Sequence, residues 1–320
     1  MNAMTRRSAA VCVVLARVAL SACASGKPAS PVSQGPAPTT PTTPVTPAPA
    51  CGDATASFAP DRPQPAPGQM PGGSFMAQIQ KRGRLVAGVS VDTLLFGFRN
   101  PISGHIEGFD IDVVRRMAQA IFGDPDRIEY RALTYAQRIP ALIDGSVDIV
   151  ADVMTINCTR WTQISFSSQY FAAGQKVLVQ RDSKAHGIAE LNGKRMCVAK
   201  GSTNFDNMKS YPKVIPVPVD DISDCMVLFQ QGAVDAVTGD DTVLAGFVRQ
   251  DPYAKVVGEA FTEEPYGLGI AKTHPDFVRF ENSVLEGVRA DGTWLSWYAK
   301  WLQPTGPVPQ PPAATYGRPA

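Results

Sequence analysis

The stretch "RIEYRALTYAQRIPALIDGSVDIVADV", residues 127–153, decides the fold class. Its first part, "RIEYRAL", is typical of a β-strand, and "YAQRIPALIDG" is typical of a short helix that ends at Gly145. The following "VDIVADV" has the apolar character of a buried strand. A strand, a helix and a second strand in this order predict two parallel strands joined by a helix, which is the unit of α/β proteins.

The same alternation continues on both sides of this stretch. Before it, "GRLVAGVS" predicts a strand and "GFDIDVVRRMAQAIFG" a helix, whose apolar face would consist of Ile111, Val114, Met117, Ala118 and Ile121. After a break near residue 180, strands and helices alternate again in "KRMCVAK", "STNFDNMKSY", "KVIPVPV", "SDCMVLFQQG", "VDAVTG" and "DTVLAGFVRQ". A last strand, "YGLGIAK", precedes two C-terminal helices. The pattern predicts an α/β protein in two halves, each with a parallel-rich sheet.

The length and charge of the chain limit its function. The chain has 320 residues and a formal net charge of +1, which gives no electrostatic reason to expect a nucleic-acid partner. No apolar run after residue 25 reaches the ~18 residues that a membrane span needs. We expect a monomer without a cofactor.

Both ends of the chain differ in composition from its middle. Residues 1–22 have the order of a signal peptide, with basic Arg6 and Arg7 before an apolar stretch, and "LSAC" resembles a lipobox that leaves Cys23 as the lipid-carrying first residue. Either the general or the twin-arginine export route fits. Residues 23–74 form a linker rich in Pro and Thr, and residues 304–320 a second Pro-rich segment, both expected to be disordered. We therefore expect a protein tethered by lipid to the extracytoplasmic face of the cell membrane.

Four cysteines remain once Cys12 in the signal peptide and Cys23 are set aside, namely Cys51, Cys158, Cys197 and Cys225. Export favours disulfides, and four cysteines allow three pairings. Cys197 lies in a predicted strand and Cys225 on a helix of the same unit, which favours pairing them and leaves Cys51 to pair with Cys158. A zinc site is the alternative, but the chain lacks a CxxC spacing and its three histidines are scattered, so no metal is expected.

Five motifs occur in an order and at a spacing that resemble a known family: "GHIEGFDIDVVRRMA", "IPALIDGSVDIV", "MTINCTRW" followed by "ISFSSQYF", "LNGKRMCVAKGSTN" and "GAVDAVTGDD". The chain resembles the polar amino-acid-binding proteins of ABC uptake systems, the glutamine and glutamate type of family 3 extracellular solute-binding proteins, over about residues 80–303. The resemblance implies the type II periplasmic-binding-protein fold, in which two α/β lobes joined by two hinge strands close on one ligand. It places lobe 1 at residues 75–180 and 268–303 and lobe 2 at residues 181–267.

The resemblance also implies a ligand site between the lobes. Thr155 and Arg160 keep the spacing of the family's motif for the ligand's α-carboxylate, and a planar guanidinium can bind a carboxylate through two parallel hydrogen bonds. Asp240 is expected to bind the α-ammonium group, with Asp241 as the alternative. Ser202 and Thr203 open a helix and are expected to donate to the carboxylate, although helix capping is a second role for them.

Other residues would contact the ligand's side chain. The resemblance places the ring of Tyr135 against the ligand, with Phe96 as a second ring and Phe98 as a less favoured one. Some glutamine binders carry a lysine and a histidine at positions that hold Ala199 and Gly239 here. The resemblance therefore does not imply specificity for glutamine. Three basic side chains could neutralise a ligand carboxylate, and glutamate, aspartate, glutamine and asparagine all stay open. These side chains are Arg99, Arg138 and Lys200.

The expected partner is an ABC permease that receives the amino acid. An alternative is a sensor lipoprotein that reports amino acids to a membrane signalling partner. A third class is an enzyme of the same fold. Its only candidate catalytic carboxylates would be Glu263 and Glu264, near the second hinge. No candidate site motif contains a histidine that could act as general acid or base, so an enzyme is not expected.

Overall fold

The computed structural model describes residues 51–302 and 308–319. The predicted signal peptide, the lipidation site at Cys23 and the linker up to residue 50 lie outside the described residues. The strands are, in chain order, β1 (Ala56–Ser57), β2 (Leu85–Val89), β3 (Asp92–Thr93), β4 (Gly97–Arg99), β5 (Ile106–Glu107), β6 (Ile128–Ala132), β7 (Ile149–Ala151), β8 (Ile164–Phe166), β9 (Phe171–Gln180), β10 (Arg195–Ala199), β11 (Ile215–Val219), β12 (Ala236–Asp240), β13 (Ala254–Val257), β14 (Glu263–Tyr266), β15 (Gly269–Ala271) and β16 (Thr315–Tyr316).

The α-helices are α1 (Phe75–Arg82), α2 (Phe109–Phe122), α3 (Arg138–Ile143), α4 (Cys158–Trp161), α5 (Thr203–Asn207), α6 (Asp224–Gln230), α7 (Asp241–Gln250), α8 (Pro275–Ala290) and α9 (Thr293–Leu302). The predicted apolar face of α2 is buried, and Gly123 caps the helix with a φ of 78°, in the left-handed region that favours glycine.

Two sheets form the centres of the two lobes. The sheet of lobe 1 has the strand order β6-β2-β7-β15-β8, in which β2 is parallel to β6 and β7. The sheet of lobe 2 has the order β11-β10-β12-β9-β13, in which β10 is parallel to β11 and β12. The predicted two-lobed α/β fold with parallel-rich sheets is confirmed.

The connection between the lobes differs from the predicted boundary. Strand β9 starts at Phe171, pairs with β14 over Phe171–Gly174, and pairs with β12 and β13 of lobe 2 over Gln175–Gln180. Lobe 1 was predicted to continue to residue 180, whereas Gln175–Gln180 of β9 already pair with β12 or β13 of the lobe 2 sheet, because β9 is one continuous strand of ten residues. Strands β9 and β14, which pair antiparallel, carry the chain between the lobes.

Both predicted disulfides, Cys51–Cys158 and Cys197–Cys225, are present. The predictions for the chain ends are wrong in part. The linker was predicted to be disordered to residue 74, but Phe58 and Met70 are buried in the core and the Ser57 hydroxyl donates to the Phe166 carbonyl of lobe 1. The C-terminal segment was predicted to be disordered from residue 304, but β16 pairs in parallel with β1. A few buried or bonded side chains order these segments despite their proline-rich composition.

Among residues 51–302 and 308–319, no helix combines the length and the apolar character that crossing a membrane requires. Within the same residues, no group of three or more His, Cys, Asp or Glu side chains is arranged to hold a metal ion.

Candidate functional site

The two lobes contact each other along the edges where the parallel strands end. Ligands of open α/β sheets bind outside the carboxyl ends of strands, so this seam is where a site is expected. The Nη2 groups of Arg138 and Arg160 in lobe 1 both donate to the carbonyl oxygen of Gly201 in lobe 2, at 3.3 and 3.2 Å. The Ser223 amide of lobe 2 donates to the Asp92 carboxylate of lobe 1 at 3.1 Å. The structure therefore shows a closed interlobe cleft.

Arg160 lies on α4, directly beside the seam. Asn157 caps this helix by accepting a hydrogen bond from the Arg160 amide at 2.8 Å, which fixes where the helix starts. Arg160 is only 7% exposed, and its Nη1 donates to the Thr155 carbonyl at 2.7 Å. Burial, followed by the nearby Arg138 guanidinium, lowers the pKa of Arg160 to about 9. Among the described residues, the two side-chain hydrogen bonds of Arg160 go to carbonyl oxygens, and a buried cation of this kind favours the binding of an anion.

Thr155 and Thr203 meet across the seam, and a carboxylate joins them. Their hydroxyls are 3.2 Å apart, and each donates to Oε2 of Glu264, at 2.7 and 2.6 Å. The other oxygen, Oε1, accepts from Thr262 at 2.7 Å and from Asn207 at 3.2 Å. Sequence reasoning considered Glu264 only as a catalytic carboxylate and missed this position. The hydroxyls expected to bind a ligand carboxylate thus already hold a carboxylate of the protein.

Asp240 ends β12 on the lobe 2 side of the cleft. Its oxygens accept from Asn204 at 2.8 Å and from the Tyr266 hydroxyl at 2.6 Å. Burial and then the neighbouring Glu264 carboxylate raise the pKa of Asp240 to about 7. Asp241, the alternative in the sequence, accepts instead from the amides of Gly174 and Thr242. Asp240 is therefore the aspartate that lies with the cleft residues.

Ser202 serves as a helix cap in this structure. Its hydroxyl accepts from the Phe205 amide at 3.0 Å and donates to the Ala199 carbonyl at 2.6 Å. The second role considered for Ser202 is therefore the observed one. The hydroxyl of Thr203, the first residue of α5, points to the seam, where it bonds to Glu264.

The aromatic candidates occupy different places. The Tyr135 ring lies in the cleft wall, where the Arg138 guanidinium stacks over it at 4.3 Å and its hydroxyl lies 3.3 Å from that of Thr93. Phe96 is fully buried in an aromatic core, where it packs against Phe109, Phe171 and Tyr266. The ring contacts of Phe96 are thus those of a core residue, and Tyr266 stands between Phe96 and Asp240 of the cleft.

The structure does not bring Arg99 and Lys200 to the cleft. Arg99 donates to the Gly104 carbonyl on an exposed hairpin, and Lys200 pairs with Asp220 at 3.0 Å on the surface. Arg138, the third of these candidates, is instead buried in the cleft wall and donates to the Tyr135 and Asp152 carbonyls at 3.1 and 2.7 Å. The two exposed cations are solvated and have partners of their own, which explains why they do not turn inward.

Strain and buried charge accumulate where β7 ends in the cleft. Val153 has a φ of 40°, which is unusual for a β-branched residue, and its amide donates to Asp110 at 2.8 Å. Burial raises the pKa of Asp110 to about 6. The neighbouring Asp152 is fully buried, and within the described residues neither of its side-chain oxygens has a hydrogen-bond partner. Such features are typical of functional sites.

Comparison with known proteins identifies the family. The family model of bacterial extracellular solute-binding proteins, family 3, matches residues 85–304. The chain belongs to this family. This solute-binding protein is 38% identical over 210 residues to a glutamine-binding protein of Geobacillus stearothermophilus, covering 65% of this chain and 80% of that protein. It is 34% identical over 236 residues to a glutamate-binding protein of Corynebacterium glutamicum, covering 70% and 79% of the two chains.

Solved structures of solute-binding proteins have the same fold. The solute-binding protein superposes on holo ArgBP from T. maritima with a TM-score of 0.63 and 29% identity, covering 69% of this chain and 99% of that one. An ancestral arginine-binding protein bound to glutamine matches with a TM-score of 0.64 and 33% identity, covering 69% and 98%. The family and these relatives are solute-binding proteins rather than enzymes, and membership implies a location outside the cytoplasm.

Proposed function

We propose that this protein captures a polar or acidic L-amino acid, namely glutamate, aspartate, glutamine or asparagine, in the interlobe cleft and delivers it to an ABC permease. The observation that carries the proposal is the pair of opposite charges buried at the seam. Arg160 stands on the lobe 1 side and Asp240 on the lobe 2 side. An amino acid carries a carboxylate and an ammonium group on one carbon, so its head group can bridge these two residues.

The residues around the pair support the same assignment. Arg160 can bind the α-carboxylate through two hydrogen bonds, Thr155 and Thr203 can donate to it, and Asp240 can accept from the α-ammonium. Glu264 accepts hydrogen bonds from both threonine hydroxyls in this structure, so the proposal requires its side chain to release them when the ligand carboxylate binds. The glutamine- and glutamate-binding relatives support a polar amino acid as the ligand.

The test is isothermal titration calorimetry of the purified protein with the twenty amino acids, with a sugar and a dipeptide as controls. We expect micromolar binding of at least one of the four named amino acids, about −8 kcal/mol. Binding of only the sugar or the dipeptide would reject the proposal.

The proposal includes a lipid anchor at Cys23. Its support is the "LSAC" sequence, which precedes the Pro/Thr-rich linker. The Cys23→Ala variant should leave the membrane fraction of cells, and retention of a processed Cys23→Ala protein in that fraction would show that the anchor lies elsewhere.

A further inference from the structure

The helix that carries Arg160 is too short to be stable alone. Helix α4 spans only Cys158–Trp161, four residues, whereas isolated helices below about 12–15 residues are marginal in water. A bidentate contact between a guanidinium and a carboxylate needs both groups in a fixed orientation. Contacts from outside α4 must therefore hold the backbone of Arg160 in place.

Residues near the N-terminal end of the folded part hold α4 on both sides of Arg160. Cys158, two positions before Arg160, forms the disulfide with Cys51. Trp161, the next residue after Arg160, donates from its indole Nε1 to the Ala54 carbonyl at 2.8 Å. The ring of Phe58 packs edge-to-face on that of Trp161, with 6.1 Å between ring centroids. Three separate contacts thus tie one helical turn to residues 51–58.

The C-terminal segment completes the enclosure. The Arg318 guanidinium lies over the Trp161 ring, 3.9 Å from its centroid. The same guanidinium donates from Nε to the Ala56 carbonyl at 2.7 Å and from Nη2 to the Asp53 carbonyl at 3.0 Å. Together, residues 51–58 and 315–318 form what we call the terminal clasp, in which Arg318 links the two segments to Trp161.

The terminal clasp is itself fixed to lobe 1. The Ser57 hydroxyl donates to the Phe166 carbonyl at 2.7 Å, at the end of β8. Asn282 on α8 donates to the Phe58 carbonyl at 2.8 Å. The terminal clasp therefore connects α4 to the central sheet of lobe 1 and to α8. Through these contacts it can hold α4 in a fixed position.

Both segments of the terminal clasp lie outside residues 85–304, the part that the family model matches. We propose that the terminal clasp positions Arg160 for carboxylate binding, so that ligand affinity depends on the Cys51–Cys158 disulfide and on Arg318. This inference rests on the proposed function, in which Arg160 contacts the ligand. The positioning residues are Cys51, Cys158, Trp161 and Arg318.

The experiment measures affinity for the amino acid that binds the wild type best, by calorimetry on folded protein. The variants are Arg318→Ala and the double change Cys51→Ser with Cys158→Ser. The matched controls are the double change Cys197→Ser with Cys225→Ser, which removes the disulfide of lobe 2, and Arg127→Ala, which removes a cation–π contact with Phe122. We expect about tenfold weaker binding for each terminal clasp variant and a change within about twofold for each control.

A second background separates positioning from general destabilisation. The same variants are combined with Arg160→Lys, whose flexible point charge does not depend on the orientation of a planar fork. In that background the terminal clasp variants should change affinity by less than about twofold. An equal loss in both backgrounds, or no loss in the wild-type background, would overturn the inference. If the disulfide variant fails to fold, the affinity of Arg318→Ala in the two backgrounds decides whether the inference holds.

The two proposals fail in different ways. Wild-type protein that binds none of the amino acids would overturn the proposed function and this inference with it. Wild-type binding that is equally tight in the terminal clasp variants would overturn the inference alone.

Discussion

At the scale of single residues, the closed cleft buries charged groups of both signs. Arg138 and Arg160 contribute two guanidinium groups, and Asp152, Asp240 and Glu264 contribute three carboxyl groups. Desolvation makes each isolated charge costly, so a ligand that supplies both an anion and a cation can stabilise the closed state by pairing with them. The zwitterionic head of an amino acid has this property.

Ligand affinity should fall as the pH is lowered from 8 to 6. The pKa of Asp240 is raised to about 7 by burial and by Glu264, so its carboxyl group gains a proton in this range. The ligand's ammonium pairs with the charged form, and binding must therefore displace that proton at low pH. The expected loss is about tenfold between pH 8 and pH 6, measured by calorimetry.

The matched control for this pH dependence is Asp240→Asn, which should bind weakly and show a flatter profile. Other acidic groups near Asp240, namely Glu264 and Asp241, remain in this variant. A wild-type affinity that stays constant or rises toward pH 6 would contradict the role of Asp240.

The three basic side chains considered for the ligand's side chain should behave differently. Arg138→Ala should weaken binding by about tenfold or more, because it removes a donor to Gly201 across the seam and the cation over Tyr135. Arg99→Ala and Lys200→Ala should stay within about twofold, because both side chains are exposed and lie outside the cleft. Calorimetry on the three variants checks this, and the reverse order would show that the cleft is wrongly placed.

At the scale of helices and strands, the alternation in the sequence predicted most elements because each buries one face or both. The apolar runs of β2 and β7 are fully buried, as expected for central parallel strands. Strand β16 was missed because it has two residues within a proline-rich segment, and a pairing that short leaves no periodic pattern. The same limit applies to β1, whose partner is more than 250 residues away along the chain.

Helix α8 contains a buried carboxyl group that should lower stability at neutral pH. Glu281 is fully buried, and within the described residues neither side-chain oxygen has a hydrogen-bond partner. Burial raises its pKa well above the ordinary 4.5, so from about pH 4.5 upward the folded state holds more protons than the unfolded state. This contribution to the free energy of unfolding therefore decreases as the pH rises.

Glu281→Met should raise the free energy of unfolding by about 1–3 kcal/mol at pH 8, and by less at pH 5. Urea denaturation at both pH values measures the difference. Glu286→Gln on the same helix is the control, since Glu286 is partly exposed in an ion pair with Arg62 and should matter little. An equal gain at both pH values, or a loss at pH 8, would show that the Glu281 carboxyl group is not the cause.

At the scale of the whole molecule, the sequence predicted the two lobes, but not which side chains meet between them. The spacing of Thr155 and Arg160 is local and could be read directly. The hydrogen bond between Thr155 and Glu264 joins residues 109 positions apart, and that between Arg138 and Gly201 joins residues 63 positions apart. Contacts of this kind depend on how the lobes close, which no periodic pattern encodes.

Closure links the site to the whole molecule, because the ligand must touch both lobes to favour the closed state. Under the proposed function, Arg160 binds the ligand's α-carboxylate and Asp240 binds its α-ammonium group. A ligand with a blocked amine should therefore lose its sensitivity to Asp240→Asn and keep its sensitivity to Arg160→Ala.

The most direct test of the account is the affinity of the Arg160→Ala variant, measured by calorimetry with the amino acid that binds the wild type best. We expect a loss of roughly 2–5 kcal/mol, or about 30- to several-thousand-fold, because the ligand's carboxylate would be enclosed without its charge partner. Arg160→Lys should recover only part of this, since a point charge cannot form two parallel hydrogen bonds. Small-angle scattering should show the Arg160→Ala protein still open with ligand present. Binding within about threefold of the wild type, together with closure, would contradict the account.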